Sequence, residues 1–104
     1  MKLITKAIEN KLSKNGYENE KAICKFFCPW GAATWVIFGR DEHNPDILSC
    51  VADLGMGFVE AGSVSLSELE ALRGPFGLGI ERDRSFTGGK NMSEYLNRET
   101  LAGC

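Results

Sequence analysis

The stretch VSLSELEALRGPFGLGIERD, Val64 to Asp83, holds a helix start, a helix stop and a glycine-punctuated apolar loop in one run, and it anchors the reading of the fold. Ser65 is placed to accept from the amide of Glu68, the Glu68 side chain can reach back to the Ser65 amide, and Val64 can pack on Leu69 across the cap. Gly74 stops the helix and Pro75 prevents its continuation, so a helix is predicted over Leu66 to Arg73. None of these roles is catalytic. The physical reading of this run yields a fold class and not a function.

Working outward towards the N-terminus, Leu3, Ile4, Ile8 and Leu12 recur at helical spacing. With Thr5 as N-cap and Asn15-Gly16 as stop they predict a first helix of about ten residues. Ala22 to Cys28 and Thr34 to Phe38 are apolar at nearly every position and read as two central strands joined through Pro29-Trp30-Gly31-Ala32. Arg40 to Asp46 is a polar loop. Further strands are predicted from about Ile47 to Leu54 and from about Gly57 to Val64, turning tightly at Gly55-Met56-Gly57. Phe76 to Glu81 either adds a fifth, edge strand or crosses the sheet as an extended segment. Asn91, with Glu94 three residues on, caps a short last helix carrying Met92, Tyr95 and Leu96. Strands in an unbroken run with helices before and after define an α+β domain: an antiparallel meander of four to five strands with helices mainly on one face. Ser85 to Asn91 and Thr100 to Cys104 are expected to be mobile.

A chain of 104 residues is one domain by size, and a formal charge of −2 lacks the basic excess of a nucleic-acid binder. No apolar run approaches the length of a membrane span, and the start MKLITKAIENK interleaves charges with its apolar residues, which is not a signal-peptide core. A cytoplasmic setting is expected, with Cys24, Cys28, Cys50 and Cys104 as free thiols.

The chemistry-bearing residues do not assemble into a motif. Cys24 and Cys28, four apart on a strand, stand about 13 Å from each other, too far for one metal or one disulfide. With Cys50 and the lone His43 they offer four potential zinc ligands but no paired knuckle, and His43 in a turn is a poor base for a thiol nucleophile. Asp41 to Asp46 lacks the ligand order of a calcium loop. Gly74 to Gly79 follows a helix where a dinucleotide fingerprint must follow a strand, and Gly88-Gly89-Lys90-Asn91 lacks both the first glycine and the hydroxyl of a P-loop. Glu68, Glu70 and Glu81 to Arg84 read as surface charges and ion pairs. No cofactor and no metal is expected, and no enzyme.

Aromatic residues are the exception. Trp30 lies in a turn, and Phe76 and Leu78 stand on a loop flanked by glycines. The first expectation is that this loop folds back and plugs the end of the sheet, since exposing large apolar groups is costly. The second is a docking patch of Trp30, Arg73, Phe76, Leu78 and Arg82, because aromatic and arginine side chains dominate such patches.

The blocks KLITK at Lys2 to Lys6, KFFCPW at Lys25 to Trp30, TW at Thr34 and Trp35, and SLSELEALRGPFGLGIERD at Ser65 to Asp83 resemble an uncharacterised family of small bacterial proteins carried by plasmids, phages and integrated mobile elements. The resemblance runs from Lys2 to about Asp83. It implies a compact domain in a mobile-element setting and brings no catalytic residues with it. This chain departs from the pattern at Gly79, where many relatives have proline, and in its glycine-rich tail after Arg84. Two functional expectations follow. The first is a non-enzymatic interaction protein with a protein partner, for which an inhibitor of a host defence complex of the anti-CRISPR or anti-restriction type is the concrete form. The alternative is a nucleic-acid or small-ligand module, with Trp30 and Trp35 stacking bases and Lys25, Arg73, Arg82 or Arg84 on phosphates.

Overall fold

Trp35, Val36, Ile37 and Phe38 are consecutive apolar residues, so a strand built from them has no face that tolerates water. In the computed structural model, which describes residues 3–14, 21–86, 88–97 and 101, all four are buried at the centre of a five-stranded antiparallel sheet. The strands are β1 (Cys24–Phe27), β2 (Thr34–Arg40), β3 (Ile47–Asp53), β4 (Val59–Ser65) and β5 (Glu81–Arg82), and their order across the sheet is β4-β3-β2-β1-β5. The predicted α+β meander is therefore the observed fold, with β1 and β2 inside the sheet as expected. The fifth strand is only Glu81 and Arg82, paired with Phe27 and Phe26.

Among the described residues three helices join the sheet, α1 (Lys6–Lys14), α2 (Leu66–Ala71) and α3 (Met92–Tyr95), and Leu101 is helical as well. Strand alternation divides the apolar residues between two faces. Cys24, Phe26, Trp35, Ile37, Leu48 and Cys50 form one core with Leu12 of α1 and Leu69 of α2. Val36, Phe38 and Val51 form the other with Tyr95 of α3 and with Leu101. Two helices thus share a face, and the third closes the opposite one, where the Phe38 and Tyr95 rings meet edge to face at 5.8 Å. A register shift between Ile37 and Gly39 marks a bulge in β2.

The caps form with two amendments, and at α2 only the Ser65 half of the expected reciprocal box is made. Thr5 Oγ1 accepts from Ile8 N–H at 3.2 Å at the start of α1, while the stop expected at Asn15-Gly16 lies outside the described residues. The Asn91 and Glu94 box at α3 is reciprocal. Ser65 accepts from Glu68 N–H at 3.3 Å, and α2 ends at Ala71, two residues before the predicted Arg73, because Leu72 is already extended. The second change is Asp46, expected as part of a solvated turn. Its carboxylate accepts from Ser65 Oγ at 2.5 Å, Ser67 Oγ at 2.8 Å and Ser67 N–H at 2.9 Å, tying the β2–β3 loop to the first turn of α2.

Two segments expected to be loose are anchored where they are described. Ala22 N–H donates to the Lys90 carbonyl, Lys21 bridges Asn91, and Phe86 packs beside Tyr95. Leu101 is buried and donates to the Asn97 carbonyl, so an apolar side chain in the expected tail is used as core. The remainder of 100–104, Cys104 included, lies outside the described residues.

The hydroxyls of Ser65 and Ser67, then the Ser67 amide, hold the Asp46 carboxyl below its ordinary value. A carboxyl lowered in the native state stabilises it in full above the unfolded value, about 3.9, and loses that contribution as pH falls through the native value. Asp46→Asn is expected to be less stable than the parent at neutral pH, with the difference shrinking as pH drops below about 4. Denaturant titrations of both proteins across that range measure it.

Candidate functional site

Pairings across the sheet place three loops at one end. Val59 pairs with Asp53, Asp53 with Thr34, Thr34 with Phe27, and Phe27 with Glu81. That row is the last of the sheet, and beyond it lie the turn 28–33, the turn 54–58 and the loop 72–80 that leads from α2 into β5. Steric contacts join the loops. A Cβ built on Gly55 meets the Ala32 Cβ at 2.9 Å, and one built on Gly74 would lie 2.2 Å from the Trp30 ring. The half-buried indole therefore sits flat against the bare backbone of Gly74, which only glycine permits.

Apolar side chains stand exposed on two of these loops: Leu54, Met56 and Phe58 on the hairpin turn, and Leu72, Phe76 and Leu78 beyond α2. Three stand on the turn into one edge strand, β4, and three on the loop into the other, β5, at the same end of the sheet. Phe76 is the extreme case, with a relative exposure of 102%. The expectation that it plugs the end of the sheet is overturned. The reason is backbone: a bridge between Arg73 and Gly79, a Gly74 N–H bond to the Leu78 carbonyl at 2.7 Å and a Gly77 N–H bond to Gly74 at 3.2 Å tie the loop into a narrow finger with Pro75 and Phe76 at its tip. Phe76 adopts φ 59°, ψ 21°, the left-handed region that glycine or asparagine ordinarily fills.

The two arginines of the expected patch are used within the fold. Arg73 Nη1 donates to the Glu70 and Leu72 carbonyls at 2.6 and 2.7 Å, satisfying the end of α2. Arg82 Nη1 donates to the Leu3 carbonyl at 2.8 Å. The structure therefore brings Trp30, Phe76 and Leu78 to one end of the sheet and engages Arg82 with the N-terminal segment. Leu54, Met56 and Phe58 were absent from the sequence reading of the site. Their signal was present in an apolar, glycine-flanked hairpin turn, LGMGF, where polar residues are usual.

Two grooves lie elsewhere. One, of ≈ 350 Å³, has Lys6, Glu9, Arg40 and Glu70 in its wall, with Arg40 paired to Glu9 at 3.3 Å and Glu70 accepting from Leu3 N–H. Its charges balance one another. The other, of ≈ 400 Å³, is lined by Lys11, Arg82 and Arg84 with Ile8, Ile23 and Phe86, and the carboxylate beside them, Asp83, is drawn to Lys25 at 4.0 Å. Cys24 lines the same groove. Burial pushes its thiol up to about 12 despite the opposing pull of Arg82 and Lys11, and burial raises Cys50 to about 11. Neither thiol is a nucleophile near neutral pH. Among the described residues no three histidine, cysteine or acidic side chains are grouped to hold a metal ion, and no helix is long and apolar enough to cross a membrane.

The fold and this end of the sheet define a small α+β domain that presents an apolar finger. The chain belongs to the family described as Protein of unknown function (DUF2958), whose model matches residues 2–104. The match extends past Asp83, where the resemblance of the sequence blocks stopped, through the C-terminal segment. Neither the curated proteins nor the solved structures compared with this chain gave a match.

Two outcomes are expected of the native protein. Maleimide labelling at pH 7, read by peptide mass, modifies the half-buried Cys28 well before Cys24 and Cys50, which react on unfolding. Gly74→Ala, which drives a methyl into the Trp30 ring, costs about 1–3 kcal/mol in denaturant titrations and alters tryptophan emission.

Proposed function

We propose that this chain is a non-enzymatic interaction protein that docks on a protein partner through the apolar end of its sheet, with Phe76 inserted into the partner and Trp30 and Leu78 beside it. The observation that carries this reading is Phe76 itself: a bulky aromatic residue held fully in solvent at a backbone conformation that disfavours it. Such an arrangement does not repay its cost within the monomer. It matches the buried aromatic anchor of a binding hot spot. The family resemblance supports a mobile-element setting and, as the concrete form, an inhibitor or modulator of a host defence complex of the anti-CRISPR or anti-restriction type, and the charges interleaved through the first residues support a cytoplasmic location.

Phe76→Ala and Phe76→Gly separate anchor from core. Neither is expected to lose more than about 0.5 kcal/mol of stability, and the glycine variant is expected to gain, because it relieves the left-handed strain. Both are expected to abolish inhibition or binding when titrated against a panel of purified defence complexes. A partner bound equally well by parent and variants would remove the anchor role, and a panel with no binder would remove the defence reading.

A small-ligand role is the second reading, and the groove of Lys11, Arg82 and Arg84 favours it. Its volume suits a small molecule, and Lys11 and Arg84 beside an aromatic and aliphatic wall suit an organic phosphate, with Arg82 held on the Leu3 carbonyl and Asp83 drawn to Lys25. Calorimetric titration with inorganic phosphate and with adenosine monophosphate tests it. Saturable binding of the nucleotide that Lys11→Gln and Arg84→Gln weaken at least about tenfold, the cost of roughly 1.4 kcal/mol, supports the reading; no heat with either ligand removes it.

A further inference from the structure

We infer that β4 is a pairing edge, and that two copies of this chain join through it about a two-fold axis at Gly62 to make one continuous sheet. The inference is independent of the docking role of the Phe76 finger.

The two edges of the sheet are unlike. On one side β5 offers two residues, whereas β4 offers seven, and Glu60, Ala61, Gly62 and Ser63 in its middle are exposed. Natural edge strands are protected by brevity, proline, lysine or a bulge. β4 has none of these. Its register against β3 runs without a shift from Ile47 and Ser65 to Asp53 and Val59, and its one charged residue is Glu60.

The outward backbone groups follow from the ladder. Leu66 N–H donates to the Asp46 carbonyl at 2.8 Å, which makes that pair a hydrogen-bonded one. Bonded pairs in an antiparallel ladder recur every second residue, so Val64, Gly62 and Glu60 turn their amides to β3. Ser63, Ala61 and Val59 turn theirs outward. A two-fold axis at Gly62 then sets Ala61 opposite Ser63 of the second copy and Ser63 opposite its Ala61, residues whose N–H and C=O groups all point across the new seam. Each pair exchanges two bonds, about four in the centre.

Side chains agree with that register. Gly62 faces its own copy in the close, non-bonded pair, where Cα atoms approach to about 4.5 Å and a side chain would crowd. Glu60 lies opposite Val64 of the second copy, so the two carboxylates do not oppose each other. Phe58, exposed in the monomer, comes opposite Leu66 of the second copy and gains apolar cover. Sliding the register by two residues in one direction sets Glu60 against Gly62 and shortens the paired length, so the axis at Gly62 gives the longest match.

The test is the mass of the full chain by light scattering and sedimentation across micromolar concentrations, with Ala61→Pro, Ser63→Lys and Phe76→Ala alongside. Proline at 61 removes an outward amide and leaves the β3 ladder its bonds, and lysine at 63 protects an edge. The parent and Phe76→Ala are expected to be dimers, and both edge variants monomers or dimers weakened at least about tenfold, with unchanged circular dichroism. If Ala61→Pro does not fold, Ser63→Lys decides alone. A monomeric parent, a dimer unaffected by Ser63→Lys, or a dimer lost in Phe76→Ala with the edge variants intact would each overturn the inference.

Discussion

The dryness of β2 on both faces is the constraint from which the rest of the architecture follows. Trp35 and Ile37 need cover on one side and Val36 and Phe38 on the other, and the helices packed on the sheet are divided between the two faces. α1 and α2 take the side of Trp35. On the other side the described cover is Tyr95 and Met92 of the one-turn α3, with Leu101, Ala22, Val59 and Phe86. The short α3 is therefore no ornament of the C-terminus: Tyr95 on it fills the space between Phe38 and Phe86, and its reciprocal cap fixes four residues that have too little length to hold a helix alone.

How much of this was legible depended on the range of the interaction. Capping is local, so Ser65 with Glu68 and Asn91 with Glu94 announced their helices correctly from residues three apart. Apolar runs are nearly local, so β1 and β2 were placed inside the sheet. Asp46 was not legible, because its partners are Ser65 and Ser67, about twenty positions along, and nothing in the run RDEHNPD distinguishes an anchor from a turn. The end of α2 failed for a related reason. Gly74 was read as its stop, but Gly74 is bare because of Trp30, a contact across more than forty residues of chain.

The site shows the same limit more sharply. Sequence put Trp30, Phe76 and Leu78 together for their chemistry, and the topology does gather them beyond the last row of the sheet. The rule that large apolar groups seek cover argued for the wrong conformation of the loop, because that rule is statistical and the finger is held by four backbone contacts between Arg73 and Gly79. The arginines were chosen for charge and found to be serving carbonyls. Only the fold separates a guanidinium that closes a helix from one that waits for a ligand.

The seat of the Trp30 indole on Gly74 has a mechanical consequence. The finger and the β1–β2 turn are stacked surfaces, so neither moves without displacing the other. A load applied at Phe76 passes through Gly74 into the ring and from there to the strands on either side of it. The rigid sheet, and not the loop's own stiffness, is then what resists the pull, as a bracket bears on the wall behind it.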